Sequence, residues 1–118
     1  MNDEIAEIEK GSAFIVVEII EYIPNAVVMK TIIRKTTGNV TAVSIDSGEG
    51  LSSKISPFDT FIQVIDGKAN VMIEDKLNIL ETGQSIIIPA NTPNSIHASV
   101  RFKMLSTIIK SGYDEETV

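Results

Sequence analysis

Residues 48–67 read GEGLSSKISPFDTFIQVIDG, and the spacing inside this stretch decides the fold. Gly48 is followed after five residues by Lys54, after one more by Ser56, after three by Thr60 and after six by Gly67. Glycines at both ends serve tight turns, since glycine enters left-handed backbone conformations without a steric penalty. Within the stretch, "TFIQVID" reads as a strand that stops at Gly67-Lys68. Fifteen residues further on a second segment begins, with Gly83, "QSIII", Pro89-Ala90-Asn91, then Asn94, His97 and Ala98.

Working outward, the rest of the chain is also punctuated into short apolar runs. "AFIVVEIIEYI" (13–23) reads as a strand ending at Pro24-Asn25, a turn signal. "AVVMKTIIRK" and "VTAVSID" read as a hairpin around Gly38-Asn39. "ANVMIE" turns at Asp75-Lys76 and "LNILE" at Thr82-Gly83, with "QSIIIPA" and "RFKMLSTIIK" completing the set. Strands at this regular spacing, without helices between them, predict an all-β sandwich or barrel. Composition agrees, with 20 Ile against 4 Leu and no Trp, because β-branched residues pack well on pleated sheets. At 118 residues there is one core, not two. Residues 1–12 form an N-terminal arm in which Asn2 to Lys10 are predicted as a short helix ending at Gly11. Residues 13–112 form the barrel, and 113–118 an acidic tail.

Taken together, the two segments resemble the motifs of the cupin superfamily, and in particular its small single-domain members. The first motif of that family runs G-x5-H-x-H-x3–4-E-x6-G, the second G-x5-P-x-G-x2-H-x3-N. The likeness covers about residues 38–110 and implies a cupin barrel, a double-stranded β-helix of jelly-roll type. It also implies a metal held by imidazoles and a carboxylate, but all four ligand positions depart from the pattern. Lys54, Ser56, Thr60 and Asn94 stand there instead. A lysine cation repels a metal ion, and hydroxyls and an amide carbonyl are weak ligands, so neither a metal nor another cofactor is expected. Asn91 occupies the position of the second motif's turn glycine and is able to adopt the same left-handed conformation.

The replaced residues suggest a different use of the same frame. Lys54 would supply the positive charge that the metal once gave, while Ser56, Thr60 and Asn94 donate hydrogen bonds to a small anionic or carbonyl-bearing ligand. The simpler alternative leaves Lys54 at a rim, reaching water or pairing with Asp59. His97, the lone histidine, lies three residues past Asn94, so alternation on a strand turns the two side chains to opposite faces. A partly exposed histidine is the plain reading. A general base for a metal-free isomerase or lyase is the rival, using His97 or Lys54. The favoured reading is a small-molecule-binding or sensing module without catalysis.

Charge and composition exclude other classes. The net charge of -6 sits at the two ends, and between them nine acids balance nine bases, so no basic stripe exists for nucleic acid. There is no cysteine for disulfides or thiolate sites. The apolar runs are too short to span a membrane, and the acidic N-terminus is no secretory signal, which points to the cytoplasm. No phosphate-binding loop, dinucleotide fingerprint or zinc spacing occurs. A hydrophobic content of 43% and the two-faced apolar run at 26–35 predict a homodimer.

Overall fold

The computed structural model describes residues 6–113, with only the backbone of Ser53 and Lys54. Among the described residues, eight strands follow a 3-10 turn at Val16–Glu18: β1 Val27–Lys35, β2 Gly38–Ile45, β3 Gly50–Lys54, β4 Asp59–Ile73, β5 Lys76–Glu81, β6 Ser85–Ile88, β7 Asn94–His97 and β8 Phe102–Ile109. All pairings are antiparallel, in the order β1-β2-β8-β4-β7-β3, with β5 and β6 also bonded to β4. The sheet curls on itself, and its edges β1 and β3 stay unpaired with each other.

β4 is the hinge of this architecture. Its first half lies between β8 and β6, and its second half lies between β7 and β5. Gly67 sits at the transition with φ 85°, just past a register shift between Val64 and Asp66. The glycine therefore does not end the strand, as the sequence suggests, but bends it, as bulges do at barrel corners. A side chain there would meet the backbone of Arg101 and Phe102.

Alternation then sorts the side chains. Val43, Ile45, Ile62, Val64, Val71, Ile96, Phe102 and Met104 point inward and form the buried core. On the other face of the same strands, one row runs Ile33–Val40–Thr107–Phe61–Ile87 across β1, β2, β8, β4 and β6. Ile33 faces outward only because a register shift between Thr31 and Ile33 reverses the alternation of β1.

Three sequence expectations change. The segment 13–23 is not a strand. It crosses the outer face of the sheet, where side chains serve its backbone and fasten it: Ser44 Oγ donates to Glu21 O, Lys103 Nζ to Val17 O, and Tyr22 Oη to Asp66. Being apolar on both faces, it has no period to distinguish a strand from a covering strap. The β1–β2 hairpin turns at Thr36-Thr37, with Lys35 opposite Gly38, so Gly38 opens β2. Its missing side chain matters for packing, since a Cβ would lie 2.5 Å from Ile108 O. The helix expected over Asn2 to Lys10 lies outside the described residues up to residue 5, and residues 6–9 form none. Instead this arm runs along β1, with Ile8 N donating to Ile32 O and Arg34 N donating to Glu7.

Candidate functional site

Between the two halves of the curled sheet lies a cavity of about 300 Å³. Its depth follows from strand register. Val43 and Met104 pair across β2 and β8 and are almost wholly buried, forming the floor, with Ile62 one row out beside Ser106. In that row stand Thr41 and Ser106, also cross-strand partners. The next row is Asn39–Ile108–Thr60–Ile88, in which Ile88 is buried and the other three are half-buried. Leu51 and Ile96 face it from the other half, and Met29 stands on the open side by the β1 edge, 57% exposed. Apolar walls thus carry a polar band, a composition typical of small-molecule sites.

Of the residues singled out by the sequence, Ser56, Thr60 and Asn94 line this cavity. Thr60 arrives on β4 and Asn94 on β7. Ser56 lies beyond the end of β3, so the alternation argument does not place it; a loop does. That loop, 55–58, is held by Asn91 N donating to Ser56 O at 2.6 Å and Phe58 N donating to Ser56 Oγ at 3.2 Å. Asn91 is left-handed at φ 62°, the conformation expected for a glycine substitute. Asn94 Nδ2 donates to Thr92 O across the same turn. The backbone of Lys54 pairs with Asn94 at the end of β3; its side chain lies outside the described part. His97 is exposed, opposite Gly50 and Asn70, and is not part of the cavity lining.

Asn39, Thr41 and Ser106 join the lining without having been expected there. Their signal is present in the sequence, as polar residues in phase with the inward Val43, Ile45 and Met104, but reading it requires knowing which phase faces inward. Phe58, also in the lining, follows from the loop and has no sequence signal.

The family pattern implies a metal at the four replaced positions, and the residues present do not fit one. Ser56 and Thr60 offer neutral hydroxyls and Asn94 an amide. Among the described residues no group of three or more His, Cys, Asp or Glu is placed to hold an ion. Hydroxyls and amides both donate and accept, so the polar band suits a ligand with oxygen functions.

No protein-family profile and no curated protein matches the chain. Solved structures do. A conserved protein of unknown function from Streptococcus pyogenes superposes with TM-score 0.85 at 23% identity, covering 92% of this chain and 96% of that one. A cupin superfamily protein from Desulfitobacterium hafniense gives 0.83 at 20% identity, covering 91% and 98%. A cupin 2 conserved barrel domain protein from Leptotrichia buccalis gives 0.77 at 30% identity over 80% of this chain, which spans 46% of that one. The class is therefore that of small antiparallel barrels whose two sheet halves enclose a cavity. Within it, the chain has the fold of the cupin superfamily, with its metal-ligand positions substituted.

Proposed function

We propose that the barrel binds a small molecule in this cavity and serves as a binding or sensing module without catalysis. The observation that carries the reading is convergence: Ser56 and Thr60 from one segment and Asn94 from another meet Asn39, Thr41 and Ser106 around one apolar-walled space. Its volume, about 300 Å³, is at the lower end for ligand sites. The ligand is a small carbonyl compound or carboxylate, with Lys54 giving the charge. A general base must stand within hydrogen-bond reach of its substrate. His97, exposed and off the lining, does not favour the enzymatic alternative.

We propose further that the chain acts as a cytoplasmic homodimer. What supports the dimer is the outer row Ile33–Val40–Thr107–Phe61–Ile87, which carries no charge and leaves Ile33, Phe61 and Ile87 38%, 42% and 60% exposed. Apolar rows of this kind are commonly covered by a second subunit.

Ligand-observed NMR with a panel of small carbonyl compounds and carboxylates tests the binding reading. Ser106→Leu puts a larger apolar group into the cavity and should abolish binding while the protein stays folded. Lys54→Met should weaken carboxylates by ~1–3 kcal/mol, the range for a charged hydrogen bond. If no compound binds, or Ser106→Leu leaves binding intact, the cavity is not the site.

A further inference from the structure

The loop 55–58 is the cavity's wall on one side. Ser56 and Phe58 face the cavity, while Ile55, 62% exposed, and Pro57 face solvent. Among the described residues, nothing covalent or helical braces this loop. What holds it is three groups of contacts. Two come from the turn after β6: Asn91 N donates to Ser56 O, and Ala90 N donates to Asp59 Oδ1 at 2.8 Å. The third comes from the far end of the chain. Asp59 N donates to Tyr113 Oη at 2.6 Å, and that hydroxyl in turn donates to Ile109 O. The Tyr113 ring lies against Phe58, with centroids 6.0 Å apart and planes tilted by 44°. Lys110 Nζ stands 6.0 Å from the centroid of the Phe58 ring.

Asp59 and Ile109 are register partners at the end of the β4–β8 ladder. The tyrosine hydroxyl bridges them, so a side chain fastens the last rung. Release of that rung frees the start of β4 and, with it, the loop that carries Phe58 and Ser56. The fastening is weak in the way a movable part requires. It rests on one exposed hydroxyl, and hydrogen bonds there contribute only a modest net free energy because water competes for both partners. Elements that open for ligands belong to the low-stability end of a structure.

We propose that Tyr113 is a latch on the cavity: its hydroxyl holds the 55–58 loop in place and thereby sets the size of molecule that enters. The proposal rests on the cavity being a binding site, but its test does not need the ligand. Tyr113 acts as a positioning residue, through Asp59 and Phe58, and touches no ligand itself.

The chain has no cysteine, so a single one reports on access without background. Ser106→Cys places a nearly isosteric thiol within the cavity lining. Its labelling by a bulky fluorescein maleimide and by small methyl methanethiosulfonate is compared in the Tyr113 and Tyr113→Phe backgrounds. Phenylalanine keeps the ring against Phe58 and removes both hydrogen bonds. The bulky reagent should then react about tenfold faster, the effect of losing one or two ordinary hydrogen bonds, while the small reagent changes little. Lys68→Cys, on the exposed surface, serves as control and should label alike in both backgrounds. An unchanged ratio of bulky to small labelling overturns the latch. So does equal acceleration of both reagents or of the control cysteine, which marks general loosening. Failure of the binding reading shows up elsewhere, as a cavity that no panel compound occupies.

Discussion

Replacing Gly67 by alanine tests whether the barrel is built on the bend in β4. Two costs arise, and the structure separates them. The first is conformational: φ is 85°, where an L-residue pays ~1–2 kcal/mol. The second is steric. A Cβ at Gly67 would come within 2.3 Å of Arg101 O and 2.9 Å of both Cα and Cβ of Phe102. None of these atoms is the end of a flexible side chain, and Phe102 is wholly buried. Relief requires parting β4 from β8, at roughly 1–3 kcal/mol for a buried hydrogen bond left unmade. The sum is about 2–5 kcal/mol. Gly83 supplies the control, since its φ is 92° and a Cβ added there would have nothing within 4 Å. Gly83→Ala should therefore lose only the conformational part, ~1–2 kcal/mol. Urea unfolding of both variants, read as midpoint shifts at constant slope, gives the difference directly. A Gly67→Ala loss within about 0.5 kcal/mol of the Gly83→Ala loss, the additive scatter of independent sites, would refute the corner argument.

Two further outcomes follow from the arm and the outer face. Glu7 is held at about 2, below the ordinary 4.5, first by the Lys10 hydrogen bond and then by the Arg34 amide. A depressed carboxyl contributes stability above its unfolded pKa and loses it as pH falls, so the part of arm docking that runs through the Arg34 amide should be complete above about 4.5 and weaken toward 2. Amide exchange at Arg34 measured down that range checks it, and Glu7→Gln should remove the pH dependence. Light scattering at micromolar concentration should give about twice the 12.8 kDa chain mass, with Phe61→Lys shifting it toward the monomer. A wild-type monomer that persists on concentration would rule the dimer out.

How much of this is legible in the sequence depends on whether a residue's role is fixed locally. Gly48, Gly67, Gly83 and Asn91 take positive φ, and their spacing carries the resemblance from which the barrel is expected. Thr60 and Asn94 reach the cavity because they ride on β4 and β7, where alternation fixes a face. Ser56 reaches it for another reason, its loop being drawn in by Asn91. The strap at 13–23 passes for a strand because its partners, Ser44, Asp66 and Lys103, are 23 or more residues away and act through side chains. Gly67 passes for a stop because a bend and an end use the same residue.

The same distinction bears on how the frame persists with other residues at its ligand positions. The positions that shape the cavity are backbone requirements: a left-handed turn at Asn91, a bend at Gly67, a close approach at Gly38. None depends on the identity of the four ligand-position residues. Of these, Ser56, Thr60 and Asn94 sit on loop and strand sites that the frame fixes, so hydroxyls and an amide there still converge on the cavity. What changes is the chemistry at the meeting point. A site for an ion needs several anionic or imidazole donors at one centre, whereas the Thr41–Ser106 pair and Thr60 lie in two rows of one sheet half, Asn94 on β7 and Ser56 on the 55–58 loop. Distributed neutral donors suit the small oxygen-bearing molecule proposed above better than a bare metal ion. The wall that carries Ser56 is also the one fastened by Tyr113, so the residue that departs from strand geometry is the one whose position a latch is able to vary.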